Sequence, residues 1–281
     1  MTEFRLTQIS DTHLSRRIPH FNENFHRVAE YIDGTRPDIV VNTGDLAFDG
    51  PAYPDDLSFA QQMHAALPVE FHCIPGNHDI GDNPTLIGMS PERQPSDQSL
   101  DAFITAFGED RFSFEAAGWR FIGVNSLILN TGLTQEENQF DWLTTELSRL
   151  NGKPLALFIH KPLYKTAPDD PEVAATSFRY APMPARERLI DTLNGVNLRL
   201  VASGHVHQRR DYTFGSVRHV WAPSTGFMIA SDEKQERIGT KEVGLVEYKF
   251  HPGGFEVRHA RAPGQVDIDL HTAIDVDKFA P

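Results

Sequence analysis

Short apolar runs that alternate with helix-length segments restrict this chain to a layered α/β fold. Runs rich in β-branched residues occupy positions 4–9, 38–41, 69–74, 119–124, 154–159 and 198–202. Each is of strand length, too short for a helix that must bury a stripe over several turns. Between most of them lie helical patterns at 22–34, 55–67, 97–107, 135–150 and 184–193. This alternation predicts helices layered on sheets. The helical segments do not form a sequence repeat.

After His207 the pattern changes to strands separated by turns, at 217–221, 243–250 and 255–260. Consecutive strands with short connections pair as hairpins, so this part predicts a second, more antiparallel sheet that closes the core. The expected architecture is therefore a two-sheet sandwich with outer helices. The chain's 281 residues suffice to bury a sizeable core, roughly three quarters of the unfolded surface. Residues 1–260 are expected to form one domain, with 261–281 as a C-terminal tail without a clear core period. That tail is expected either to pack on a neighbouring subunit, in a homodimer or a higher oligomer, or to fray. Two long connections, 80–96 and 162–181, are rich in proline and follow polar clusters directly. Loops of this length are candidate lids or substrate walls. The charged run 231–242 reads as a solvated segment.

The chemistry gathers where the apolar runs end. The first run ends in Ser10-Asp11-Thr12-His13, the second in Gly44-Asp45, and the third in Gly76-Asn77-His78-Asp79. The fifth ends in His160 and the sixth in Gly204-His205-Val206-His207. Each segment alone is weak, because a lone histidine is more often a core or surface residue than a ligand. Together they matter: ligands of open α/β sheets collect at the carboxyl ends of strands, and these ends carry only nitrogen and oxygen donors. Five of the 13 histidines fall in these segments; His20, His26, His64 and His219 are among the others and keep the ordinary reading. The single cysteine, Cys73, lies in an apolar run and reads as a small hydrophobe, which excludes a disulfide framework or thiolate zinc site within the chain.

The ordered set of segments resembles the calcineurin-like metallophosphoesterase family, whose signature is D-x-H, G-D, G-N-H-D/E, H and G-H-x-H. All five blocks are present, from Asp11 to His207. The resemblance implies a four-layer αββα sandwich of two mixed β-sheets flanked by helices. It further implies that Asp11, His13 and His207 hold one metal ion and Asn77, His160 and His205 a second, with Asp45 bridging them. Nitrogen and oxygen donors without thiolate suit manganese, iron, zinc or cobalt. Two such ions lower the pKa of a bridging water and clamp phosphoryl oxygens, so the implied reaction is in-line attack of hydroxide on phosphorus. His78 matches the family's proton donor to the leaving group. Asp79 reads as the cap of the following turn rather than the partner that orients His78.

Within the family the chain resembles the cyclic-nucleotide phosphodiesterase branch, on its ISDTHL opening, its GNHD block, and Ala222-Pro223-Ser224-Thr225 after GHVH. The expected substrate is a small phosphodiester, first a 3′,5′- or 2′,3′-cyclic nucleotide, then a glycerophosphodiester or a phosphonate monoester. A phosphomonoesterase is the enzymatic alternative, and a non-catalytic scaffold the alternative of another class. One departure is that Lys161 follows His160 where many members of that branch carry a second histidine. Lys161 either contacts a substrate phosphate or extends into solvent, and solvent is the expectation. Arg209, or its neighbour Arg210, is a weaker candidate for an anionic substrate. Phe21, Tyr164, Phe178 and Tyr180 are candidates for stacking on a base and equally for packing.

The formal net charge of −13 opposes a nucleic-acid duplex, which needs a basic stripe, but permits a small anion in a cleft whose field bound metal ions reverse. The opening MTEFRLTQIS lacks the pattern of a signal peptide, and no run approaches about 18 uninterrupted apolar residues. A cytoplasmic protein without a membrane anchor is the expectation.

Overall fold

The segment Leu155–Ile159 is apolar at every position and buried throughout, as a strand covered on both faces must be. The computed structural model describes residues 3–84, 90–171 and 178–275. Its first half-sheet is β1 (Phe4–Ile9), β2 (Ile39–Asn42) and β3 (Phe71–Cys73), mutually parallel. The second sheet contains β4 (Phe112–Ala116), β5 (Trp119–Val124), β6 (Leu155–Ile159), β7 (Leu198–Ser203), β8 (Arg210–Phe214) and β9 (Val217–Trp221). Last come β10 (Leu245–His251) and β11 (Gly254–Ala260). The strand orders are β11-β10-β1-β2-β3 and β4-β5-β6-β7-β9-β8.

Side chains alternate across each strand, so every strand feeds two layers. Leu6 and Val41 of the first sheet pack on Phe158, Ala202 and Val220 of the second, between the sheets. On the outer face of the first sheet, Ile9 and Val40 meet α1 (Asn22–Thr35), α2 (Pro54–Ala65) and α4 (Asp97–Phe107) through Phe25, Leu57 and Phe103. On the outer face of the second, Leu157 and Ile159 meet α5 (Thr134–Ser148) and α6 (Ala185–Thr192) through Phe140 and Leu189. The result is helix, sheet, sheet, helix. A short α3 (Asn77–Ile80) follows β3 and α7 (Leu270–Ala273) lies near the end.

The expected separate antiparallel sheet after His207 does not form. The strands of that region divide: β9 extends the second sheet parallel to β7, with β8 antiparallel at its edge, and β10 joins the first sheet antiparallel to β1. The physical reason is that β1 and β7 each have an open edge facing chain that can be paired at once. β10 carries Val246, Tyr248 and Phe250 into the space between the sheets. Tyr248 also donates to the fully buried Gln8 at 2.7 Å, which satisfies a polar side chain that the apolar run had hidden.

The tail packs on its own chain as far as Ile274. Asn24 of α1 accepts from the Val266 amide at 2.9 Å, and Ile274 packs with Ile18, Phe21, Phe48 and Phe227. The 231–242 run is likewise held: Gln208 accepts from the amides of Ile238 and Gly239, at 2.7 and 2.8 Å. Of the two long connections, 85–89 and 172–177 lie outside the described residues. Among the described residues no helix is long and apolar enough to cross a membrane.

Candidate metal centre

The parallel strands β1, β2, β3, β6 and β7 deliver their carboxyl ends to one edge of the sandwich, and the polar segments meet there. The turn after β2 holds them together. Its Thr43 carbonyl accepts from His160 Nδ1 (2.7 Å), its Gly44 carbonyl from the Asp11 amide (2.8 Å), and its Asp45 carbonyl from the His13 amide (3.0 Å). This close approach requires glycine at 44: φ is +106°, and a Cβ would lie 2.5 Å from His160 Nδ1. Asp11, His13, Asp45, His205 and His207 also have φ between 46° and 67°, an uncommon region for residues with a side chain. Strain of this sort clusters where surrounding structure enforces a functional geometry.

Two donor groups result, and Asp45 belongs to both. Atoms of Asp11, His13, Asp45 and His207 all lie within 4.8 Å of one another, as do atoms of Asp45, His160 and His205. Asn77 joins the second group, with Oδ1 3.3 Å from His160 Nε2. Asp45 Oδ2 stands 3.7 Å from His13 Nε2 and 3.5 Å from His160 Nε2, while Oδ1 accepts from the His78 amide at 2.8 Å. Apart from half-buried Asn77 and His205, these ligand candidates are buried.

Hydrogen bonds on the outer nitrogens fix what the inner ones present. His160 Nδ1 donates to Thr43, His205 Nε2 to Phe178 (2.9 Å) and His207 Nδ1 to Phe227 (3.0 Å), all backbone carbonyls. In the neutral rings the inner nitrogens therefore carry lone pairs. Yet His160 Nε2 faces His205 Nδ1 at 3.1 Å, and His13 Nε2 faces His207 Nε2 at 3.2 Å. In the His160–His205 pair, where both outer nitrogens are committed, two lone pairs at that distance repel unless a cation or a proton lies between them. Burial, then the neighbouring His160 and Lys161, hold His205 well below the usual imidazole range. Burial also opposes charge on His160, but Asp45 outweighs it and raises His160 to about 9. Metal-free, the cluster thus keeps a proton beside Asp45. The donor set fits a divalent cation in its place.

His78 stands outside both groups, its ring edge-on to His13 with centroids 4.6 Å apart. Its Nδ1 donates to the Phe48 carbonyl at 2.5 Å, which leaves Nε2 for a second partner. Burial works against its charge, yet Asp45, with smaller contributions from Phe48 and other carboxylates, raises its pKa. Asp79 does more than cap α3. Its carboxylate accepts from the amides of Gly76 (2.8 Å), Leu46 (3.1 Å) and Ala47 (2.8 Å), joining the two turns that carry Asn77 and Asp45.

Lys161 corrects an expectation. It is fully buried rather than in solvent, and its ammonium pairs with Asp82, also in hydrogen-bond contact. The reason is the segment after α3, which folds back over it and is pinned where Asn83 donates to the carbonyls of Ser126, Leu127 and Leu129. Arg209 is paired with Glu242, and Arg210 lies over the rings of Tyr212 and Trp221. Of the aromatic candidates, Phe21, Tyr164 and Tyr180 are buried, whereas Phe178 is exposed beside His205. Sequence reading missed the carbonyls of Thr43, Phe48, Phe178 and Phe227, because a backbone acceptor has no residue signature.

Residues 4–209 match the family described as calcineurin-like phosphoesterase. A 3′,5′-cyclic-nucleotide phosphodiesterase of Nostoc is 24% identical over 277 residues, covering 94% of both chains. A probable glycerophosphodiester phosphodiesterase of Arcobacter nitrofigilis is 25% identical over 277 residues, covering 89% of this chain and 94% of its own. Among solved structures, a dimetal phosphatase from Danio rerio superposes with a TM-score of 0.60 at 14% identity, covering 94% of this chain and 97% of its own. That likeness concerns the fold.

Proposed function

Since the chain belongs to the calcineurin-like phosphoesterase family and is a hydrolase, we propose that it cleaves a small phosphodiester, with a cyclic nucleotide first and a glycerophosphodiester second. The observation that carries this reading is Asp45, the one carboxylate shared by two facing donor groups. Asp11, His13 and His207 would hold one divalent ion, Asn77, His160 and His205 the other, and Asp45 both. Such ions, when bound, supply an activated water and stabilise charge on phosphoryl oxygens.

The chain's own residues do the rest. The His78 amide orients Asp45, and the carbonyls of Thr43, Phe178 and Phe227 hold three imidazoles in the tautomer that presents a lone pair inward. His78, with its Nδ1 proton committed to Phe48, would protonate the leaving oxygen from Nε2. Asp45 and the Phe48 carbonyl favour the protonated form of His78 against the opposing effect of burial, and cations bound at Asp45 oppose that rise. The two relatives are named for activity on diesters and align over nearly the whole chain, which supports a diester over a monoester.

The test is a panel assayed with one metal-loaded preparation: 3′,5′- and 2′,3′-cyclic nucleotides, glycerophosphodiesters, bis(p-nitrophenyl) phosphate and p-nitrophenyl phosphate. Diesters should turn over faster than the monoester, with a cyclic nucleotide highest in kcat/KM among the natural compounds. Much faster monoester turnover overturns the reading.

A further inference from the structure

His64 sits on α2, in a pocket that asks for an apolar ring. It is fully buried among Phe25, Phe71 and Phe107, with ring centroids 4.8, 5.5 and 6.2 Å away. Burial depresses its imidazole to about 4, so it is neutral in the folded protein at ordinary pH. A phenylalanine would pack there without that cost. The polar atoms are nevertheless both used: Nδ1 donates to the Ala60 carbonyl at 2.8 Å, which leaves Nε2 as an acceptor, and Asn42 Nδ2 donates to it at 2.9 Å.

Asn42 passes the constraint on. Its Oδ1 accepts from the Gly44 amide at 3.0 Å, inside the turn whose carbonyls hold His160, Asp11 and His13 and whose next residue is Asp45. With His64 as acceptor, the Asn42 amide has one orientation only, nitrogen toward His64 and oxygen toward Gly44. We infer that His64 is a positioning residue for the metal centre, acting through Asn42 on the Gly44-Asp45 turn that serves both donor groups. Its ring hydrogen bonds go to Ala60 and Asn42, neither of them a candidate metal ligand. The inference rests on the reading of Asp45 as the shared ligand, but not on which ester is cleaved.

The experiment reads metal affinity directly. Full-length wild type, His64→Phe and His64→Gln are loaded with Mn²⁺, and dissociation constants are obtained by competition with a chromogenic chelator. Thermal midpoints are recorded alongside. His64→Phe keeps the packing and loses the acceptor; the glutamine amide oxygen restores an acceptor near the position of Nε2. The expected result is a folded Phe variant that binds Mn²⁺ about tenfold more weakly, and a Gln variant within about threefold of wild type, the range typical of residues that orient metal ligands. A Phe variant that binds as wild type overturns the inference, and so does a Gln variant as weak as Phe. Should the Phe variant not fold, His64→Met, whose flexible chain adapts to the pocket, is held to the same outcomes. Wild-type protein that binds Mn²⁺ but cleaves no ester removes the functional reading and leaves the relay standing. Failure of wild type to bind removes both.

Discussion

His160 Nε2 lies 3.1 Å from His205 Nδ1 while the opposite nitrogen of each ring donates to a backbone carbonyl. The rings are thus held with their inner nitrogens together around one position. Removing bound metal should therefore cost stability as well as activity, because cations held by these nitrogens bind the folded state and not the unfolded chain. Chelation is expected to abolish hydrolysis and to lower the thermal midpoint by several degrees, and stoichiometric Mn²⁺ or Zn²⁺ to restore both. Differential scanning calorimetry with and without chelator checks this; an unchanged midpoint contradicts it.

The single hydrogen bond from His78 Nδ1 to Phe48 makes the ring a poised donor rather than a ligand. His78→Ala should lower kcat on esters with alkyl leaving groups by about 10²- to 10³-fold, and on p-nitrophenyl esters by less than about tenfold. Nitrophenolate leaves without a proton and alkoxide does not. Equal losses on both substrate classes rule out the acid role.

The Lys161–Asp82 pair predicts a stability effect instead of a substrate effect. Asp82 keeps some solvent contact, so the cost of stranding it falls short of that for a fully buried ion. Lys161→Met is expected to lower unfolding stability by roughly 2 kcal/mol, and adding Asp82→Asn to recover about half of it. KM for small diesters should stay within about twofold. A KM rise of tenfold or more with unchanged stability would instead make Lys161 a substrate contact.

Which parts were legible in sequence follows from what each part is made of. The strands 4–9 and 119–124 and the helix 97–107 were readable to the residue, because strand-length segments rich in apolar residues and 3.6-residue periodicity are written in side chains. β4 and β8 were not: Phe112–Ala116 and Arg210–Phe214 are mostly half-buried or exposed, as edge strands are. The partition of β9 and β10 between sheets was hidden too, since pairing depends on which edges are free. At the site, the five donor segments stood out because their chemistry is carried by side chains. The burial of Lys161 depends on Asn83 and the segment after α3, and the role of His64 on a partner 22 residues away.

Two buried histidines should make the fold acid-sensitive independently of metal loss. Burial lowers His64 to about 4; burial, with a smaller effect of Arg210, lowers His219 to about 4 as well. Their ordinary value in an unfolded chain is about 6.5. A folded pKa below the unfolded one means that the unfolded state binds protons first. The stability contribution is therefore complete above about pH 6.5 and is lost progressively as the pH falls through 4. Between pH 7.5 and 5.0 each histidine accounts for roughly 2 kcal/mol, a large share of a typical domain's stability of about 5 to 15 kcal/mol. Urea unfolding in the presence of chelator isolates this effect from metal release. The unfolding free energy should fall markedly between the two pH values, and that fall should shrink by roughly 2 kcal/mol in His64→Phe, whose ring cannot take up a proton. An unfolding free energy that is flat across this interval, or an undiminished slope in His64→Phe, contradicts the assignment of these two imidazoles as neutral in the native state.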